Sequence, residues 1–219
     1  MICILTAEQH NVSTSIHRAE YDGIPPTTEE LDILKTACEG NGVNAMFLTD
    51  EASISNALKF ILRANTAQIQ NPQFVQELTE WIRFNNREAL EKGDGLRGEC
   101  VGSPSMPRWI GKPVLKYLAF TPRSENAKVS KQVQSSAGLV IFVSKKDDPQ
   151  HWVEAGRAYE RFALQATALG IKNAFLNMPV EEASVRRDLA DSLGVEKDAR
   201  LDFVVRFGRG GDMPRSFRM

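Results

Sequence analysis

Apolar residues fall into two patterns along this chain. In some segments they recur every three or four positions, the repeat of an amphipathic helix; in others they form unbroken blocks of strand length. The first helical segment is "IPPTTEELDILKTACEGNG". Pro25 and Pro26 precede it, Thr27 or Thr28 caps its first turn, and Glu30 completes a capping box. Leu31, Leu34 and Ala37/Cys38 give its buried stripe, and Gly40 and Gly42 end it. "VNAMFLTD" then predicts a short strand, and Asp50 caps a second helix, "EASISNALKFILRANTAQI". Pro72 begins a third helical stretch, "QFVQELTEWIRFN". Residues 93–111, "GDGLRGECVGSPSMPRWIG", are too rich in Gly, Pro and Ser for a regular element. Met106, Trp109 and Ile110 nevertheless require cover, so the segment reads as a structured excursion, followed by a helix over "KPVLKYLAF".

The last third carries the strongest signals. "SSAGLVIFVS" is a continuous, β-branched-rich run that predicts a central strand. "DPQHWVEAGRAYERFALQATALG" predicts a long helix from Asp148-Pro149 to Gly170, with Trp152, Gly156, Tyr159, Ala163 and Ala166 on one face. Its second half is apolar nearly all round, which implies burial on most sides. "NAFLNM" predicts a strand, "VEEASVRRDLADSLG" a helix and "LDFVVRFG" a last strand. This alternation argues for a mixed α/β or α+β domain, here a single one over residues 1–219.

Charge changes the picture at one place. The 27 basic and 28 acidic side chains nearly cancel, which removes the broad positive field that a nucleic-acid partner requires. Yet the chain ends "RFGRGGDMPRSFRM", with Arg206, Arg209, Arg215 and Arg218 among glycines, a proline and a serine. Guanidinium groups fork onto phosphate oxygens, Ser216 adds a donor, and the glycines allow close backbone approach. On the residues alone, this segment is first a solvated basic chain end and only second an anion site. Cys3, Cys38 and Cys100 lack CxxC spacing, and the three histidines do not cluster, so neither a metal site nor a disulfide framework is expected. "MICIL" lacks the make-up of a signal peptide, and no apolar run approaches about 20 residues. A cytoplasmic protein outside the membrane is therefore expected.

Three further segments hold candidate chemistry. The strand ending in Asn177-Met178-Pro179 leaves backbone N–H groups that a helix does not use. "STSIHR" at 13–18 offers hydroxyls, an imidazole and Arg18 to an anion. Trp109 offers a flat surface to a ring. No nucleophile–base pair and no Gly-rich phosphate loop is visible, so any reaction belongs to a bound cofactor.

"HWVEAGRAYERFALQATALGIKNAFLN", "VRRDLADSLG" and "RFGRGGDMPRSFR" resemble the FMN-dependent nitroreductase family, closest to its divergent branch of Acg-like proteins. The middle segment "WIRFNNREALEKGDGL…GSPSMPRWIG" resembles the same branch. The resemblance implies an α+β fold with a mostly antiparallel sheet flanked by helices, built as an intertwined homodimer with FMN in the interfacial groove. It implies hydride transfer from NADH or NADPH through the flavin to nitroaromatics, quinones or similar acceptors. Asn177 and Met178 match the segment whose backbone N–H meets flavin N5. Arg215 and Arg218 match the basic residues on the FMN phosphate, with Ser15 and Arg18 assisting. The excursion would cover the site, with Met106 or Trp109 near the substrate. Two departures stand out. The family's basic opening is reduced to Ser15, Arg18 and His17, and its Pro-Ser-Ser-x-Asn-x-Gln-Pro-Trp loop is replaced by "CEGNGVNAMF". These leave open a catalytically impaired flavin-binding protein, or a cofactor-free one, of the same fold.

Overall fold

The "SSAGLVIFVS" run forms β4 (Gly138–Ser144), and every one of its residues is buried. An unbroken apolar strand needs cover on both faces, and the rest of the fold supplies it. The structure, a computed structural model, describes residues 18–98, 104–115 and 120–211. On one side β4 pairs antiparallel with β1 (Val43–Leu48), on the other with β6 (Arg200–Gly208), and β6 pairs antiparallel with β5 (Lys172–Phe175). The sheet order is β1-β4-β6-β5. The sequence alone allowed α/β or α+β; the antiparallel sheet makes the fold α+β.

Two helices cover one face. Thr27 and Glu30 form the predicted capping box of α1 (Thr28–Cys38), and Leu34 and Cys38 are its buried residues. Burial pushes the Cys38 thiol up to about 12, so it packs as a small apolar group. Asp148 caps α7 (Pro149–Ala168), accepting from the His151 N–H at 3.0 Å. The buried residues of α7 are Ala155, Ala158, Phe162, Ala163 and Ala166, a stripe rotated from the predicted one. The alanines let the helix lie close to the sheet while Phe162 fills the space against Phe142 and Phe207. Trp152 instead turns outward, its indole N–H donating to Asp147 at 2.8 Å. In its second half Glu160, Leu164 and Ala168 are exposed, so that half is not buried on most sides as expected.

The other face carries α2 (Glu51–Gln70), α6 (Pro122–Gln134), α8 (Met178–Glu181) and α9 (Ala183–Ser192). The single helix predicted over 180–194 is thus two, broken at the extended Glu182. The hydrophobic pattern does not reveal α6, because only Val129 and Val133 of its 13 residues are buried. Its start was nonetheless encoded: Thr121 accepts from the Ser124 N–H ahead of Pro122.

Segment 82–115 contains more regular structure than predicted. After α3 (Pro72–Trp81), Ile82–Arg83 forms β2, which pairs in parallel with β3 (Leu96–Arg97). Between them lies α4 (Asn86–Lys92), capped by Asn85 and ended by Gly93 at φ 67°. Helix α5 (Arg108–Val114) begins inside the stretch read as irregular and covers the start of the predicted "KPVLKYLAF" helix, whose residues 116–119 lie outside the described ones. Its Gly111 lies on Phe84, where a Cβ would come within 2.2 Å of the ring.

At one end of the sheet, the buried Ser144 hydroxyl donates to the buried Asp202 at 2.6 Å. Desolvation raises the Asp202 carboxyl above its ordinary range. The folded state therefore holds this proton more tightly than the unfolded chain does. Stability from this group falls as pH rises from the unfolded value through the folded one, and is flat above it. Wild type minus Asp202→Asn stability is expected to shrink across that window in pH-resolved urea melts. A pH-independent difference would contradict the assignment.

Candidate functional site

Strand β5 ends at Phe175, but the chain stays tied to β6 for two more residues. Leu176 N–H donates to Val204 O at 2.7 Å, and the Asn177 side chain accepts from Val204 N–H at 3.0 Å. Asn177 O receives the N–H groups of Val180 (2.8 Å) and Glu181 (3.0 Å), which closes α8. The turn is thereby locked from both sides. Among the described residues, no acceptor is found for the N–H of Asn177 or of Met178, and both residues are half-buried. Met178 opens α8, so the helix offers its N–H nothing. Asn177→Ala is expected to cost about 1–3 kcal/mol, because it strips the acceptor from a β6 amide. Urea denaturation reads this; an unchanged midpoint would contradict the lock.

Arg206 organises the neighbouring ground. It points to the α2/α6 side of the sheet, the side that Val204 and α8 share, and is only 1% exposed. It donates to Ala19 O at 2.8 Å and to Gln132 O of α6 at 3.4 Å, and lies 4.2 Å from the centre of the Tyr21 ring. Gln132 also donates to Arg18 O at 2.7 Å. These contacts fix the backbone of residues 18–21 on the same side of the sheet as Met178. Arg18 itself is exposed, and its guanidinium has no ion pair among the described residues. Arg206 was counted among the tail cations from sequence. Its alternation with Val204 in "LDFVVRFG" was the available sign that it points inward.

Arg209 is also committed. It pairs with Glu30 at 2.6 Å, while its carbonyl accepts from Asp22 N–H at 2.8 Å. The Thr27 amide and Arg209 hold the Glu30 carboxyl below its ordinary range. Arg206 and Arg209 thus tie the end of β6 to residues 19–30. Arg215 and Arg218, with Ser15 and His17, lie outside the described residues. The register sets Gly208 opposite Lys172, so the tail leaves β6 at the far end of β5 from Asn177.

Met106 and Trp109 belong to a separately braced unit. Met106 N–H donates to Phe84 O at 2.9 Å, and its carbonyl accepts from the Asn85 side chain at 3.3 Å. Arg108 pairs with Glu88 and donates to Ile82 O at 3.2 Å; Arg83 pairs with Asp94 at 2.7 Å. Trp109 is 77% exposed on α5. Among the described residues, neither Met106 nor Trp109 shares a hydrogen bond or ring contact with Arg18, Asn177 or Met178.

After α1 the chain turns directly through Gly40–Gly42 into β1, with no intervening loop. Arg161 of α7 closes that corner, donating to Ala37 O at 3.0 Å and Glu39 O at 2.8 Å. Among the described residues, no group of three or more His, Cys, Asp or Glu is placed to hold a metal ion. No helix among them is long and apolar enough to cross a membrane.

The arrangement of sheet and helices is that of known flavin enzymes. The chain is similar to a Bacteroides fragilis nitroreductase with bound FMN, with 14% identity over 96% of this chain and 95% of that one, and a TM-score of 0.56. The chain has the nitroreductase fold. It is also similar to iodotyrosine deiodinase bound to FMN and 3-iodo-L-tyrosine (13% identity, 93% and 91% coverage, TM-score 0.55). A Clostridium difficile FMN-dependent nitroreductase is a third such structure (10% identity, 94% and 89% coverage, TM-score 0.52). No family model and no curated protein sequence matches the chain. The nitroreductase fold expected from the resemblance is present.

Proposed function

We propose that this protein is an FMN-dependent oxidoreductase of the nitroreductase type, taking hydride from NADH or NADPH and passing electrons to nitroaromatic, quinone or similar acceptors. One observation carries the reading: within this fold, two adjacent N–H donors without acceptors among the described residues stand on a locked, half-buried turn, on the sheet face that also fixes Arg18. FMN, when bound, supplies the two-electron chemistry. The Asn177 and Met178 amides are suited to the acceptor edge of the flavin ring, where preset donors stabilise developing negative charge without reorganising. Arg18 and Ser15, with Arg215 and Arg218 of the tail, hold the phosphate; charge-assisted contacts of this kind are among the stronger polar interactions. Met106 and Trp109 stand toward the acceptor, and the braced excursion limits water there. The same reading makes the protein a cytoplasmic homodimer. The exposures of Trp81 (49%), Trp109 (77%) and Trp152 (46%) support this, since large aromatic surfaces left bare on one chain are characteristic of interfaces.

A second reading has one observation in its favour. The direct α1–β1 turn, closed by Arg161, removes a loop that the family places beside the flavin. The fold would then bind FMN without turning over. Anaerobic addition of NADH or NADPH to FMN-loaded protein separates the two. Bleaching of the flavin band, with colour restored by a nitroaromatic or quinone, is the expected result. Bound flavin that no nicotinamide reduces would support the second reading, and protein that binds no FMN would overturn both.

A further inference from the structure

A cavity of about 510 Å³ opens where α9 and the turn after it meet the start of β6 and the loop after β4. That is the size of small-molecule sites, which run from about 300 to 1,000 Å³. Its lining includes none of Arg18, Met106, Trp109, Asn177 or Met178. One charge in it is already answered. Asp147 accepts from Arg200 at 2.5 Å and from the Trp152 indole at 2.8 Å, and these contacts hold its carboxyl below the ordinary range. Arg200 is in turn fixed, lying 5.2 Å from the Trp152 ring centre and 3.5 Å from Asp202.

What remains carries charges of both signs. Arg186, Arg187 and Lys197 line the cavity, and so do Asp191 and Glu196. Arg186 uses one nitrogen on Val180 O at 3.2 Å. Among the described residues, the side chains of Arg187, Asp191, Glu196 and Lys197 form no hydrogen bond or ion pair. Three cations suit a phosphate dianion, for which guanidinium groups provide forked donors. Carboxylates beside them would repel a bare anion, but they accept well from sugar hydroxyls, as acidic residues do at nucleotide ribose. The half-buried Ala190 and Val195 add apolar surface to the lining.

We propose that this cleft binds a sugar phosphate of mononucleotide size. Arg186, Arg187 and Lys197 hold the phosphate, Asp191 and Glu196 hold the hydroxyls, and the apolar side chains pack against the ring. The site is independent of the flavin reading, since it shares no residue with it. The test is titration of ¹⁵N-labelled, flavin-free protein with AMP, and separately with inorganic phosphate, followed by amide shifts. Saturable shifts centred on α9, the turn after it and the start of β6 are expected, with AMP binding more tightly than phosphate. Arg187→Glu with Lys197→Glu should weaken AMP binding by about tenfold or more. Both residues are exposed, so the melting temperature should hold. Absent saturation, shifts centred instead on Arg18 and Asn177, equal affinity for phosphate and AMP, or unchanged affinity in the double variant would each overturn the proposal.

Discussion

Arg206→Ala is expected to destabilise the protein by about 3–5 kcal/mol, a large part of the stability of an ordinary domain. The side chain is nearly inaccessible, so its loss leaves a cavity rather than a solvated gap. It also takes a donor from Ala19 O and one of the donors from Gln132 O, and uncovers one face of Tyr21. Burial already opposes the charge, lowering the pKa of this guanidinium from its ordinary value. The protein retains the charge because Ala19, Gln132 and Tyr21, from two other segments, converge on it. The melting temperature should fall by about 10 °C for a chain of this size. Residues 18–21 should become open to proteolysis before the core does. Arg206→Lys should recover only part of the loss, because an ammonium cannot reach both carbonyls as a fork does. An Arg206→Ala protein melting within a degree or two of wild type would contradict this account of how the N-terminal segment is held.

Phe142→Ala should cost a similar amount, about 3–5 kcal/mol, for a different reason. Phe142 sits in the middle of β4 and is fully buried. Its ring makes edge-to-face contacts with Tyr159, Phe162 and Phe203 at centroid distances of 6.2, 5.9 and 6.1 Å. Those partners come from α7 and β6, so truncation loosens the seam between helix and sheet rather than one side chain. Phe142→Leu should cost about 1–2 kcal/mol, since most of the volume remains. Urea denaturation provides the measurement. A small loss on truncation to alanine would mean that α7 can settle into the space.

The elements legible in the sequence were those with one dominant signal. Strand β4 announced itself by an unbroken apolar run, and α1 and α7 by caps and punctuation. Helix α6 escaped because its sequence is polar and only two valines face inward. Capping residues at Thr121 carried the only usable sign, and that sign is local rather than periodic. The excursion escaped because its order comes from ion pairs and a glycine pressed on Phe84, which no periodicity encodes. At the candidate site, the Asn177 turn was readable from a strand running into Asn-Met-Pro. The structural contacts of Arg206 and Arg209 were not. Whether an arginine meets a ligand, a carbonyl or a glutamate depends on what the fold brings beside it, and Glu30 and Ala19 are distant in sequence from Arg209 and Arg206.

The central claim is that the turn at Asn177 and the terminal guanidinium pair hold one FMN molecule between them. Fluorescence titration of FMN into wild type and into Arg215→Ala/Arg218→Ala tests it most directly. Wild type should quench the flavin at one equivalent per chain. The double variant should bind about tenfold or more weakly, since each lost charge-assisted contact is worth about 1.5–3 kcal/mol, with its flavin-free melting temperature unchanged. Equal affinity in the two proteins, or no quenching by wild type, would contradict the claim.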